Sequence, residues 1–419
     1  MFKKKFIPAY LLTFVNALGF SILIPVLPFI VKNYGAPEYV YGLILSLYAV
    51  FQFIGAPYLG SLSDRIGRKP VLLFSQIGTL LSWLIFAIAY FLPEEPVFLY
   101  ALPIWVIMFA RITDGITAGN VSATNAYISD VTTPDEKRVI FGYVGGLVGI
   151  GIIVGPGIGG VAASSSLGYL GAILIAIFIS IITAFSIAFF MKESLKEENK
   201  QKKEPFDFWK TVLITRRITL LNASKEINQV FLLRFIMSSV MSCYIGTIAL
   251  LMIDLYKFNE QELGFFMLFV GLCLSINQAF VYKWFATTFG EVKTMIIGFC
   301  FVSVGFYVVT LQLDLYMYMI LYYVLNLGFS LVFPTFNTLI SQKGDPKKQG
   351  EAMGISESIN SFSNAIYPAL AALAYSYYGY KLYYLLAFVP IIGIYFAIQL
   401  YKNVNGESKQ EVLGRKVSK

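Results

Sequence analysis

"GSLSDRIGRK", residues 60–69, places Asp64, Arg65, Arg68 and Lys69 in ten residues, with an uninterrupted apolar run on either side. Two apolar runs of about 20 residues parted by a tight charged loop are two membrane-spanning helices and their turn. The rest of the chain repeats the pattern. Hydrophobic residues make up 57%, charged residues 13% and mean hydropathy is +0.70. A soluble domain carries about 25% charged residues, so this chain could not cover a water-facing surface. Cutting it wherever charge or Pro/Gly clusters interrupt apolar runs gives twelve segments, at 8–31, 40–61, 70–91, 98–128, 139–162, 169–191, 231–253, 261–282, 293–312, 317–341, 350–373 and 382–401. Lipid offers backbone polar groups no partner, so each must be a helix.

The net charge of +8 is topology rather than a nucleic-acid footprint. Of 32 Lys and Arg, Arg111 and Arg234 fall inside apolar segments, and Lys32, Lys257 and Lys381 follow odd-numbered segments. The other 27 lie at the termini or after even-numbered segments, Lys293 at the edge where the ninth begins. That positive-inside bias predicts a multi-pass protein of the inner (cytoplasmic) membrane with both termini in the cytoplasm. "MFKKKF" opens a run too long for a signal peptide and lacking a small-x-small cleavage site, so it reads as a retained first helix. Cys243, Cys273 and Cys300 sit in apolar segments without paired spacing and read as packing residues.

Residues 192–230 are the one long polar stretch. They predict four regions: a six-helix half (1–191), a cytoplasmic central loop (192–230), a second six-helix half (231–401) and a basic tail (402–419). A shift of 212 residues pairs Asn125 with Asn337, Ile128 with Ile340, Ser129 with Ser341, Pro134 with Pro346, Gly142 with Gly354 and Pro156 with Pro368. Two parallel halves around a midplane site are the architecture of alternating-access carriers. An enzyme fits poorly. With no histidine, His acid–base chemistry, most zinc sites and haem ligation drop out, and no phosphate-cradling G-x-x-x-x-G-K-[ST] occurs. "GIGIIVGPGIGG" (149–160) lies inside an apolar helix, not between a strand and a helix. No cofactor or metal is expected. A channel would want a ring of like polar groups, which unlike halves supply less naturally.

Four passages in order resemble the major facilitator superfamily, in particular the twelve-helix drug/proton antiporter branch that includes bacterial tetracycline efflux pumps. They are "LGFSILIPVLP" (18–28), "GSLSDRIGRK", "RITDGITAGN" (111–120) followed by "AYISDVTTPDEKR", and the glycine run at 149–160. The resemblance implies an all-α integral membrane protein of twelve helices in two pseudo-symmetric six-helix halves. It also implies that Gly60, Asp64, Gly67 and Arg68 form a latch, Asp64 approaching the start of the eleventh helix. There the positive end of a helix dipole would favour an anion. The corresponding second-half loop, "YKWFATTFGEVK" (282–293), lacks the pattern, so the latch is one-sided. Gly151, Gly155, Pro156, Gly159 and Gly160 match the fifth-helix motif associated with antiporters. A stripe of glycines every four residues lets helices approach closely and, across two halves, rock.

Intramembrane charges cost about 2.5–3.5 kcal/mol each at a helix centre, which makes Arg111, Asp114, Arg234 and Glu357 functional candidates. Arg111 and Asp114, three apart, share a helical face and can pair. Glu357 has no local partner and faces Ser358, Asn360, Ser361, Ser363 and Asn364; either desolvation there lets it titrate near neutral pH, or it pairs with Arg111 or Arg234. Arg234 reads first as a residue snorkelling at the cytoplasmic edge and second as a substrate contact. Where tetracycline pumps carry acids in helices one and three, this chain has Asn16 and Ser82. That argues against tetracycline and leaves Glu357 and Asp114 to couple protons. The substrate cavity is expected to hold Arg111, Asn16, Asn360, Asn337 and Arg234, with 37 Phe and 28 Tyr to line it or to face lipid. The reading is a monomeric carrier in the lipid bilayer, with a small-molecule substrate and protons as partners and no nucleic acid. It exports a small amphipathic compound in exchange for protons. The second reading is proton-coupled uptake of a polar or anionic metabolite or a siderophore. The third is a channel or structural membrane protein.

Overall fold

The computed structural model describes residues 6–195, 214–343 and 348–417. The middle of the polar stretch and Pro346 of the repeat lie outside them. The helices are α1 (Ile7–Ser21, resuming as Leu27–Asn33), α2 (Tyr39–Ile66), α3 (Arg68–Ala89), α4 (Leu102–Ala118, resuming as Val121–Val131), α5 (Pro134–Ala163) and α6 (Tyr169–Phe190). The second set is α7 (Lys225–Ile245, resuming as Ile248–Tyr256), α8 (Glu260–Ile276, a π-helical turn Asn277–Val281, then Tyr282–Phe289), α9 (Glu291–Val309), α10 (Leu315–Lys343), α11 (Gln349–Tyr378) and α12 (Leu382–Val417). Ten described helices are long and apolar enough to span a membrane; one of these, Gln349–Asn403, is α11 and α12 joined by a 3-10 turn. α1 falls short only because its break leaves Ile7–Ser21 at 15 residues. With both counted separately the expected twelve are present. The fourth segment starts later than its hydropathy suggests, because Pro96–Val97 (β1) and Tyr100–Ala101 (β2) form a small antiparallel hairpin first. Many rings, among them Phe91, Phe178, Phe189, Phe280 and Tyr395, are exposed on the outer surfaces, where lipid takes the place of water. No disulfide joins the three cysteines.

The chain divides into two compact units. The first draws on Met1–Val212 together with Ile245–Gly271 and Ala365–Ser376. Within it α1 packs on α5 and α6, α2 on α4, and α3 on α4 and α6. The second draws on Leu213–Tyr244, Leu272–Asn364 and Tyr377–Lys419, with α9 packed on α10 and α12. The α3 contacts and the α9 contacts are counterparts, as the sequence repeat requires.

Glycines fix the closest approaches in the first unit. Gly151, Gly155 and Gly159 meet α1 at Ala17, Ser21 and Ile22, where an added Cβ would collide. Ser21 Oγ donates to Gly151 O at 2.9 Å across this seam. The stripe expected to serve motion across the two halves therefore faces inward on the first half, because Ala17, Ser21 and Ile22 are the neighbours that match its notches. Gly160 is turned the other way and packs on Glu260 and Gly264 of α8.

Two further contacts show the repeat in three dimensions. A Cβ on Gly264 of α8 would sit 2.6 Å from Pro156 O of α5, and one on Gly42 of α2 would collide with Pro368 O of α11. Pro156 and Pro368 are repeat partners, so Gly42 and Gly264 are too. Gly67 (φ 113°, ψ 156°) then makes the turn from α2 to α3, and Gly290 (φ 80°, ψ 161°) the turn from α8 to α9. Both need the left-handed φ that only glycine adopts freely. From Gly42 to Gly67 is 25 residues and from Gly264 to Gly290 is 26. The π turn absorbs the extra residue. The second-half loop thus lacks the charge pattern of the first but keeps its backbone.

Candidate functional site

α4 carries a buried ion pair. Arg111 Nη2 lies 3.1 Å from Asp114 Oδ2, and the two side chains are 3% and 4% exposed. Sequence spacing alone predicted this pairing; its surroundings come from other helices. Trp83 and Phe86 of α3 and Tyr48 of α2 hold their ring centres 4.7, 5.5 and 5.7 Å from the guanidinium carbon, close enough for cation–π attraction. On the facing α3, Thr79 Oγ1 meets Thr117 Oγ1 of α4 at 3.0 Å and Ser82 Oγ donates to Thr79 O at 2.7 Å. Arg111 Nε and Nη2 have no aligned hydrogen-bond acceptor despite their burial, so the pair is close in distance and incompletely satisfied in geometry.

The break in α4 sits beside this pair. Asn120, wholly buried at the break, accepts a 2.7 Å hydrogen bond from Asn16 Nδ2 and donates through its own amide to Ser75 Oγ. Ser75 passes the chain on to Thr117 O at 2.7 Å. Breaking a helix in a membrane leaves backbone groups needing polar company, which explains why these side chains gather here. Asn16 thus joins the polar network at the break, with its Oδ1 buried and unpartnered. Asn120, Ser75 and Thr79 were missed, and the one available signal was an Asn following the last glycine of "ITAGN".

The second locus lies in the second unit. Arg234 of α7 is 4% exposed, so it does not snorkel. Phe333 and Phe336 of α10 flank its guanidinium at 5.3 and 5.5 Å, and Nη2 donates to Glu357 Oε1 of α11 at 3.1 Å. Of the two cations weighed as partners for Glu357, Arg234 is the one it meets, 123 residues away, and the Glu357 side chain is 60% exposed rather than desolvated. The polar patch beside it divides. Ser363 and Asn364 face α7, where Ser242 Oγ donates to Asn364 Oδ1 at 2.7 Å and Ser239 approaches Ser363. Ser358 turns back on its own helix to Gly354 O. Asn360 is half-buried and Asn337 exposed; the structure does not bring either into the ion pair.

The third locus is the α2–α3 turn, where Gly60, Asp64, Gly67 and Arg68 do come together. Gly60 abuts Ser122 of α4. Arg68, 7% exposed, pairs with Asp64 Oδ1 at 2.5 Å and Asp130 Oδ2 at 3.2 Å, and donates to Ser63 Oγ at 2.6 Å. α3 has no capping side chain of its own. Glu193, just past α6, supplies one by accepting from the Arg68 and Lys69 backbone N–H groups at 2.9 and 3.1 Å. Asp130 and Glu193 were not anticipated, because neither is near the turn in sequence.

Opposite this turn in the first unit, Glu38 precedes α2. Burial first, and then the nearby charge of Asp254, hold its carboxyl above the ordinary range against the opposing pull of Lys32. Tyr375 donates to Asp254 Oδ2 at 2.8 Å.

Comparison with known proteins bears on the family and the fold. Tetracycline resistance protein, class B, of Escherichia coli is 27% identical over 374 residues, 88% of each chain. Multidrug resistance protein 2 of Bacillus subtilis (strain 168) is 24% identical over 387 residues, 91% of each. Among solved structures, a bacterial homolog of the human lysosomal transporter Spinster matches with a TM-score of 0.74 over 94% of this chain and 95% of that one. Its 11% identity speaks for the fold alone. The sequence model of the Major Facilitator Superfamily matches residues 9–343 and again 230–417. This chain, a multi-pass membrane protein and a transporter of small molecules rather than an enzyme, therefore belongs to the Major Facilitator Superfamily.

Proposed function

We propose that the protein exports a small amphipathic compound across the inner membrane in exchange for protons, by alternating access. The observation that carries this reading is the Arg234–Glu357 pair: a buried cation joined by one 3.1 Å contact to a carboxylate that is itself 60% exposed. A proton arriving on Glu357 removes the charge that compensates Arg234, and a buried, uncompensated cation is strongly unfavourable. The protonated state must then repack or release what it holds, and loss of the proton restores the pair. Such linkage between protonation and packing is what a proton-driven carrier requires. Phe333 and Phe336 beside the pair supply apolar walls for an amphipathic guest. The drug-resistance names of the relatives favour export, while Asn16 and Ser82, standing where tetracycline pumps carry acids, argue against tetracycline itself.

In this reading both termini are cytoplasmic, the functional halves are 1–191 and 231–401, and the Asp64–Arg68 turn is the cytoplasmic latch. Asp114, at 4% exposure, is the second and less accessible proton site. One observation favours the alternative of anion uptake: the unsatisfied Nε and Nη2 of Arg111 are donors a planar carboxylate would match. Reconstituted vesicles separate the two. Glu357→Gln is expected to abolish accumulation driven by a pH gradient while sparing substrate exchange, which needs no net protonation. A Gln variant that still concentrates an amphipathic cation under a pH gradient alone would remove Glu357 from the coupling role.

A further inference from the structure

At the end of the first unit opposite the α2–α3 turn lies a cavity of about 440 Å3 that no role argued above uses. It opens between the second piece of α1, the end of α3, the α5–α6 connection and the first residue of α8. We propose that it is a binding site for an organic cation, a substituted ammonium group carried on an apolar body.

Three features point there. The first is charge. Glu94 and Glu260 line the cavity, and no Lys or Arg does. The second is the walls. Tyr34, Tyr90, Tyr169 and Phe29 contribute rings, and Tyr34 and Tyr90 meet Tyr169 at steep angles of 75° and 72°, with centroids 6.3 and 5.1 Å away. Rings so inclined make a corner rather than a stack, and the negative face of an aromatic ring attracts cations. The third is rigidity. Tyr34 and Tyr169 are joined through their hydroxyls at 2.6 Å, and Tyr34 donates to Ala89 O at 3.3 Å, so two of the rings are held in place before any ligand arrives. Pre-placed groups lose less freedom on binding. Burial first, and then the nearby Glu94 carboxylate, keep the Tyr34 phenol above its ordinary pKa against the hydrogen bond from Tyr169. The ring therefore stays neutral, and the Glu94 charge is felt inside the cavity.

The size and chemistry exclude a bare metal ion. Calcium takes six to eight oxygen ligands, and two carboxylates among tyrosines in a space of ligand size fall short of that. A large, weakly hydrated cation fits both the volume and the walls. Glu260 is brought to the cavity because the start of α8 packs on α5 at Gly160. The site is complete only while that packing holds, so a bound cation favours this packing over any arrangement without it.

The test is titration calorimetry on the purified full chain in detergent, with benzyltrimethylammonium as probe and benzyl alcohol as the same ring without the charge. The expected result is saturable binding of the cation, weakened by salt, with none of the alcohol. Glu94→Gln and Tyr90→Ala, both at exposed positions, are each expected to weaken binding about three- to fivefold without changing the unfolding temperature. Glu357→Gln, in the other unit, is expected to leave it unchanged. No saturable binding by the unaltered protein overturns the proposal. So does binding indifferent to Glu94→Gln and Tyr90→Ala but lost with Glu357→Gln, which would place the cation at the Arg234 locus.

Discussion

Neutralising Arg111, Asp114 or both probes whether the pair on α4 acts as one unit. At 3.1 Å and an effective dielectric constant of about 20, two opposite unit charges attract by about 5 kcal/mol. Removing one partner of a buried pair costs about 3–5 kcal/mol, most of it the penalty of the charge left behind. Arg111→Gln strands the buried Asp114 carboxylate without its cation. Asp114→Asn strands Arg111 among Trp83, Phe86 and Tyr48, whose cation–π attraction recovers about 1–2 kcal/mol. The arginine single is therefore expected to be the worse of the two. The double variant leaves no stranded charge, so its loss should fall below the sum of the singles by about 2–3 kcal/mol. At about 2–4 °C per kcal/mol for a unit of this size, each single should lower the unfolding midpoint by on the order of 10 °C, and the double by less than the two together. Fluorescence-monitored thermal unfolding in detergent measures all four proteins under one condition. Strictly additive shifts would refute the pairing argument, and a milder Arg111→Gln than Asp114→Asn would refute the role given to the rings.

Asp64→Asn leaves Arg68 with Asp130 and Ser63, so its stability cost should stay near 1 kcal/mol or below while vesicle transport falls and cysteine labelling from the cytoplasmic side rises. Unchanged labelling with full transport would make Asp64 a loop residue only. Gly67→Ala forces an alanine to φ 113° and sets its Cβ 2.5 Å from Glu193 Oε2, which should cost about 1–3 kcal/mol in a thermal melt and release the cap on α3. Glu38 has its folded pKa raised above the ordinary 4.5, so its ionised form is the disfavoured one. Its contribution to stability is complete below pH 4.5 and is lost as pH rises through the raised value. Melts from pH 4 upward should show that decline in the wild type, and Glu38→Gln should flatten it.

The helices were legible in the sequence because their cause is local. Helical hydrogen bonds run between residues four apart, and lipid forces every apolar run of sufficient length to satisfy them internally. Arg111–Asp114 was legible for the same reason, since a spacing of three on one helix decides which side chains meet. The six-helix repeat also showed, through residues that keep their register under a shift of 212. Which of Arg111 and Arg234 reaches Glu357 did not show. Arg234 and Glu357 meet because of how far each helix is rotated and slid against the other, and that depends on the notches and ridges of every neighbour. The glycine stripe of α5 was visible, but not that Ala17, Ser21 and Ile22 fill it. The same holds for Asp130 and Glu193, which reach the α2–α3 turn from α4 and from just past α6. Composition fixes that a segment crosses the membrane, while side-chain packing between segments fixes its rotation, and an ion pair or a cap between helices exists only once that rotation is set.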